Sequence, residues 1–360
     1  MVFEPAVQIL VEPTIRDVAK QAGVSTATVS RVISGVAAAT KPQTRARVLA
    51  AVETLGYRPS AVARSLKLRT TRTLGLLVTD IQNPYFPEIV RAVEDAALQR
   101  NLAVMLCNGA DDPGREINYL DLLVDRRVDG IIIASSGLQE RQGAWLARQR
   151  SVPVVLVNWA AQDTRLPAIL GDNRQGGRLA TEHLLSLGHR WIGHLSAPAR
   201  NAAAGERLDG IREALERAGQ DPDSLVVVEG DGRVGGGESA VRELLERMPD
   251  ITGIVCYNDL TAIGAVRALR SLGRQVPGDI SIVGYDDIAL SAWVDPPLTT
   301  IAQPTAEMGR WAVRRLGELL GLAEVGEARG GINGSLGPPP LILPVELRER
   351  ASTAAPRESA

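Results

Sequence analysis

The sequence predicts an α/β protein in two parts: a short all-helical head carrying a helix-turn-helix, then a two-lobed body of parallel sheets covered by helices. Three observations predict it. From residue 73 onward, short apolar runs alternate with amphipathic stretches, the signature of β-α-β units. Before that, over 14–58, apolar residues recur at helical spacing. Charge breaks at the same place. Residues 13–72 hold eleven Lys and Arg against only Asp17 and Glu53, whereas the rest of the chain holds 29 bases and 40 acids. With 360 residues, 45% hydrophobic and 23% charged, the chain can bury ordinary cores, which excludes wholesale disorder.

The head reads as three helices. Ile15, Val18, Ala19 and Ala22 share one helical face. Thr14 is the expected N-cap, with Asp17 placed for a capping box, and Gly23 supplies a left-handed terminus. Ser25 caps a second helix that buries Val29, Val32 and Ile33. Pro42 suits the first turn of a third helix, which buries Val48, Val52 and Leu55 and ends at Gly56. Residues 59–72 begin at Pro59 and offer too few helix-compatible positions for an isolated helix to be stable in water.

The body's predicted strands are TLGLLVT (73–79), LAVMLC (102–107), DGIIIA (129–134), VPVVLV (152–157), WIGHLS (191–196), LVVV (225–228), TGIVCY (252–257) and ISIVGY (280–285). Helices are expected at 87–100, 116–126, 174–187, 206–218, 238–247 and 260–272. That is too much alternation for one sheet, so two similar lobes are expected. The glycine-rich stretch 326–337, followed by Pro338, Pro339 and Pro340, reads as a loop, and 351–360 as a polar tail.

Several function classes fall away. No apolar run is long enough to span a bilayer. The first twelve residues lack Lys and Arg, unlike a secretory signal. Cys107 and Cys256 give no disulfide framework or metal spacing. The cytoplasm is the expected compartment. His183, His189 and His194 show neither zinc spacing nor a nucleophile–base pairing, and His194, inside a strand, reads as a hydrogen-bonded core residue. No catalytic residue, metal or cofactor is expected, and the chain is not expected to be an enzyme. One motif supports an alternative. GDGRVG (230–235) fits G-x-G-x-x-G between a strand and a helix, the fingerprint of an NAD-dependent enzyme. Gly236 and Gly237 extend the run, however, and it lies mid-body rather than on the first strand.

The basic head invites a polyanion. Gly23-Val24-Ser25 joins the first two helices with helix-turn-helix spacing. The polar face of the second helix offers Ser25, Thr26, Thr28, Ser30 and Arg31. A guanidinium there can grip guanine bidentately in the major groove, and Thr26 and Ala27 are short enough to let the backbone approach the bases. Lys41, Arg45 and Arg47 would serve phosphates. The plain alternative is a solvated basic face on packed helices. In the body, ligands of parallel sheets sit outside the strands' carboxyl ends. Asn83, Tyr85, Phe86, Asn158, Trp159, Asn258, Asp259 and Asp286 fall at such ends. Tyr85 could equally be core, and Asp259 reads better as a helix N-terminal residue.

TIRDVAKQAGVSTATVSRVISG (14–35) and TLGYRPSAVARSL (54–66) resemble the DNA-binding head and hinge of the lac repressor/galactose repressor (LacI/GalR) family of bacterial transcription regulators. SAVARSLK (60–67) is similar to the purine repressors' hinge. The resemblance continues through NPYF (83–86), RVDGIII (127–133), GDNRQGG (171–177), YNDLTAIGA (257–265), ISIVGYDD (280–287) and LPVELRERAST (343–353). It implies a periplasmic-binding-protein-like body, and a homodimer on a near-palindromic operator, most often as a repressor. It also implies a small-molecule effector in the interlobe cleft. Thr26, Ala27 and Arg31 match the major-groove readers. Residues 60–67 match a hinge helix that orders on DNA, with Leu66 as the minor-groove wedge and Lys67 beside it. Phe86 matches an effector-stacking position and Arg207 the arginine that holds the effector. Asn258 and Asp286 match hydrogen-bonding ligands, and Trp159 is placed near the cleft.

The loop 230–235 lacks the ring that purine repressors stack on the ligand, and the spacing near Arg200 differs. A sugar or sugar phosphate is therefore favoured, with Arg200 or Arg233 available for an anion, and a purine-responsive regulator is the alternative. The expected boundaries are an extension at 1–13, the head at 14–59, hinge and linker at 60–72, and the body at 73–355. Lobe one takes about 73–171 and 299–333, and lobe two about 172–298 and 336–355. No leucine heptad follows the body, which favours a dimer over a tetramer.

Overall fold

The computed structural model describes residues 13–33, 40–58, 70–135, 140–149, 151–159, 166–199, 201–322 and 339–357. The chain divides into two compact units, Met1–Thr71 and Arg72–Ala360.

The first unit holds helices α1 (Ile15–Ala22), α2 (Thr26–Ile33) and α3 (Pro42–Leu55). Thr14 donates from both its amide and its hydroxyl to the Asp17 carboxylate, at 2.8 and 2.7 Å. Gly23 adopts φ +63°, which lets Val24 N–H return to the Ala19 carbonyl at 3.0 Å and turns the chain into α2. Ser25 Oγ accepts from Thr28 N–H at 3.2 Å and so caps α2. Val18, Val29 and Val48, one from each helix, are fully buried against one another's cluster. α3 starts at Pro42 as its sequence suggests, and Lys41 at its N-cap contributes no side-chain bond.

The second unit contains two six-stranded sheets. The first uses β1 (Thr73–Val78), β2 (Ala103–Asn108), β3 (Gly130–Ala134), β4 (Val154–Val157), β5 (Ala168–Gly171) and β11 (Leu341–Leu343), in the order β11-β5-β4-β3-β1-β2. The second uses β6 (Ile192–Ser196), β7 (Val226–Glu229), β8 (Gly253–Cys256), β9 (Ser281–Asp286), β10 (Thr299–Ala302) and β12 (Glu346–Arg348), in the order β12-β10-β9-β8-β6-β7. The pairings are parallel except for β12 on β10. Helices cover both: α4 (Tyr85–Gln99), α5 (Pro113–Asp125), α6 (Glu140–Arg148) and α11 (Thr305–Leu319) with the first sheet, and α7 (Asn173–Ser186), α8 (Ala202–Arg217), α9 (Val234–Arg247) and α10 (Asp259–Ser271) with the second. All eight strands and six helices read from the body sequence are present. The short strands β5, β10, β11 and β12, and helices α6 and α11, add to them.

The lobe boundaries need two corrections. Residues 299–302 were expected in lobe one, yet they pair with β9 in the second sheet. Residues 341–343 were expected in lobe two, yet they pair with β5 in the first. Only the helix between, α11, packs on lobe one, through Met308, Ala312, Val313 and Leu316. The chain therefore changes lobe near Asp172, at Gln303-Pro304 and at Pro344. Proline lacks the N–H that would extend a ladder, and the strands it bounds here are only four and three residues long, too short to read from period.

Candidate functional site

In the head, helix packing leaves one face of α2 open. Ser25, Thr26, Ala27 and Arg31 are exposed, and Thr28 and Ser30 are half-buried. Lys41, Arg45 and Arg47 of the third helix are also exposed. The geometry thus presents the predicted base-reading and phosphate-binding side chains as a polar, basic surface. Leu66, Lys67 and the hinge at 60–67 lie outside the described residues, as does the extension 1–12.

In the body, a cleft of about 370 Å³ opens between the two sheets. Its walls are the segments that leave the carboxyl ends of corresponding strands. Thr79–Asn83 follow β1, Asp111 follows β2 and Ser135 follows β3; Ala197–Pro198 follow β6, Asp231–Arg233 follow β7 and Tyr257–Asn258 follow β8. Both sheets share the neighbour order of a doubly wound fold, whose ligand crevice lies at these ends. Phe86, Glu116 and Gln142 complete the lobe-one wall, and Asn201 and Leu260 belong to lobe two.

The cleft is acidic. Asp80, Asp111, Glu116 and Asp231 line it, and Arg233 is the lining cation among the described residues. Arg233 reaches across from lobe two to Asp80 Oδ2 at 2.7 Å. Burial, reinforced by the neighbouring carboxylates of Asp111 and Asp112, pushes Glu116 up to about 7.

Behind the lobe-two wall lies a buried layer centred on Arg207. Its Nε donates to Asn173 Oδ1 at 3.0 Å and its Nη1 to the Tyr257 carbonyl. Its guanidinium sits 3.5 Å from the Tyr285 ring centroid and 4.7 Å from that of Tyr257. Nη2 lies 3.8 Å from Asp286 Oδ1. Gln303 Nε2 donates to Asp286 at 2.8 Å, and Tyr85 O–H donates to Gln303 at 3.4 Å. Burial pushes Asp286 up to about 6, against the pull of Arg207. Asp286 also holds φ +111°, a backbone that L residues rarely adopt and that only surrounding contacts can enforce.

The expected effector residues therefore separate into three groups. Asn83, Phe86 and Asn258 reach the cleft wall. Tyr85, Arg207 and Asp286 form the layer behind it. Trp159 packs beside the lobe-one core instead of lining the cleft. Asn158, buried at φ +63°, donates to the Ser135 carbonyl at 3.4 Å. Asp259 opens α10 and accepts from Thr300 Oγ1 at 2.5 Å and Ile288 N–H at 2.9 Å, a structural tie in line with its reading as a helix N-terminal residue. His194 is a core histidine bonded to the Val255 carbonyl at 2.9 Å, and burial pushes it down to about 4.

Residues 14–60 match the description of bacterial regulatory proteins of the lacI family, and residues 71–328 match periplasmic binding proteins and the sugar binding domain of the LacI family. The chain belongs to the LacI family. It is 40% identical over 303 residues to the HTH-type transcriptional repressor PurR of Aliivibrio salmonicida, which covers 84% of this chain and 91% of that one. It is 39% identical over 300 residues to the ribose operon repressor of Escherichia coli K12, covering 83% and 91%. The lac repressor dimer bound to operator and the anti-inducer ONPF aligns with a TM-score of 0.83 at 31% identity, covering 95% of this chain and 99% of that one.

A LacI-family chain is a DNA-binding regulator of transcription and not an enzyme. In the loop 230–235, Gly232 holds φ +75°, and close packing begins just beyond it. A side chain at Gly237 would strike the Thr261 carbonyl, and one at Gly264 the Val234 carbonyl, so these glycines let α9 and α10 cross closely. Sequence reading missed all four of the cleft's carboxylates. Asp80, Asp111 and Asp231 could have been found, because each lies just past a predicted strand's carboxyl end. Glu116, on the N-terminal turn of α5, carries no local signal. Arg200 lies outside the described residues. Among the described residues, no helix is long and apolar enough to cross a membrane, and no group of three His, Cys, Asp or Glu could hold a metal.

Proposed function

We propose that this LacI-family chain is an effector-controlled cytoplasmic repressor. A homodimer binds a near-palindromic operator through the exposed face of α2, and a small molecule in the interlobe cleft changes operator affinity. The observation that carries this reading is the cleft itself. It is walled by the carboxyl ends of both sheets and mixes four carboxylates and five amides with apolar side chains and two rings, Phe86 and Tyr257. Such a wall suits hydroxyl groups on an apolar-faced ring, and an uncharged sugar is the favoured ligand. Since Asp80 already pairs with Arg233, a sugar phosphate has less support than the free sugar.

Within this reading, Thr26, Ala27 and Arg31 touch bases, with Ser25, Thr28 and Ser30 beside them. Arg45 touches phosphate, and Leu66 and Lys67 serve the minor groove. Phe86, Asn83 and Asn258 face the effector. Tyr85, Arg207 and Asp286 support Tyr257 and the wall from behind, and Trp159 packs on the lobe-one core. A ligand shifts operator affinity only by the difference in its affinity for the two lobe arrangements.

A mobility-shift titration of the full chain on its own upstream DNA tests the proposal. Arg31→Ala should cost about 1–3 kcal/mol of discrimination at one base pair. Arg45→Ala should instead weaken all sequences alike and flatten the salt dependence. If adding D-ribose, D-glucose and hypoxanthine in turn leaves the shift unchanged, control by these ligands is wrong. A purine response has one observation in its favour, the similarity to PurR at 40% identity, and hypoxanthine is the arm that would reveal it.

A further inference from the structure

Most polar groups on the cleft wall are committed to their own backbone. Asn258 accepts from Thr261 N–H at 2.9 Å and donates to the Gly232 carbonyl at 2.9 Å. Asp231 accepts from Arg233 N–H at 2.8 Å. Asn201 accepts from Ala203 N–H at 3.1 Å and donates to the Tyr257 hydroxyl at 2.6 Å. The wall's cation is held by Asp80.

Glu116 stands apart from these groups. Only 5% of it is exposed, and it lines the cleft. Its carboxyl group makes no hydrogen bond or ion pair to a described residue. The charged groups acting on it, Asp111 and Asp112 at the start of the same helix, are both acids. Gly109, at the end of the strand before it, makes its seat, since a Cβ there would run into the Glu116 side chain. Most of this side chain is buried while its carboxyl group lines the open cleft, so the acceptor is available to a ligand donor that replaces cleft water.

We propose that Glu116 selects the effector's class: it receives a hydroxyl donor of an uncharged, polyhydroxylated ligand and turns phosphorylated or carboxylated ligands away from the cleft. This rests on the cleft being the effector site. Lobe two supplies a preformed frame, and Glu116 supplies the unsatisfied acceptor that a ligand completes. An anionic ligand would meet Glu116, Asp111 and Asp231 with no cation to spare among the described residues. A site built around a bond to a substrate hydroxyl discriminates strongly, because the wrong ligand leaves its polar group unpaired.

Calorimetric titration of the full chain with D-ribose against D-ribose 5-phosphate, and D-glucose against D-glucose 6-phosphate, tests it. At least one free sugar should bind, with its phosphate ester at least ~10-fold weaker. With the titration run at about pH 8, above the value of about 7 to which burial raises Glu116, Glu116→Gln removes the charge at constant shape. It should weaken the free sugar by roughly 10-fold, the scale of one charge-assisted hydrogen bond, and narrow the gap to the ester. Glu116→Asp keeps the charge and should keep the gap, which covers the case in which Glu116→Gln fails to fold. An ester that binds as tightly as its free sugar, or Glu116→Gln with both affinities unchanged, overturns the role of Glu116. Binding of hypoxanthine with no sugar or ester bound overturns the sugar reading of the cleft, a separate failure.

Discussion

The two lobes share a strand order but differ in how their walls face the cleft. On lobe two, Asn201, Asp231, Asn258 and, from behind, Arg207 spend their polar atoms on neighbouring backbone and rings. On lobe one, Glu116 lines the cleft with no partner among the described residues, and Asp80 reaches out of its own lobe to Arg233. Both walls are largely tied down, Asp80 and Asn83 of lobe one accepting from Gln82 N–H and Tyr85 N–H, and the difference lies in Glu116, which bonds to no described residue. The same fold can therefore combine rigidity from both lobes with a choice of ligand made by one.

The most severe break of the frame is Arg207→Ala. It strips a buried guanidinium that is 3% exposed and leaves Asp286 and the Tyr257 carbonyl without it. The expected loss is about 3–5 kcal/mol, read as a lower midpoint in urea unfolding, and an unchanged midpoint would mean that lobe two is not wired through Arg207. The next largest effect belongs to Glu116. Its carboxyl is raised from an ordinary 4.5 to about 7, so the folded state holds a proton that the unfolded chain has released. Stability from this group is present below about 4.5 and is lost as pH rises through about 7. Glu116→Gln should therefore cancel up to about 3 kcal/mol of the decline in stability between these two values. Comparing the two proteins isolates the group from Asp286, which titrates in the same direction. The smallest effect is Asp80→Asn. With Arg233 nearly half exposed, the lost pair should cost only about 0.5 kcal/mol, and the difference should vanish in high salt. A larger, salt-independent loss would make this contact part of the frame.

Long, strongly patterned pieces were legible in the sequence: the capped head helices, the eight apolar strands and their covering helices. The pieces that escaped are short. β10 and β11 have four and three residues, and their lobe membership is decided by which neighbour they reach after a proline. In the site, Asn83, Phe86 and Asn258 were readable because strand carboxyl ends are visible in sequence. Arg207 and Asp286 were readable as important, but their withdrawal behind Tyr257 depends on ring stacking between distant elements. Glu116 was not readable, because its chemistry comes from burial and from Gly109, neither of which leaves a pattern.

Because the polypeptide passes between lobes three times, neither lobe is a contiguous stretch of the gene. A fragment ending before Thr305 would leave the first sheet without its covering helix α11, and one ending before Leu341 would leave it without an edge strand. Cutting the chain at the first crossing, near Asp172, should thus leave neither piece with a complete lobe one, and a fusion partner intended to report on one lobe belongs in a surface loop, not at a cut.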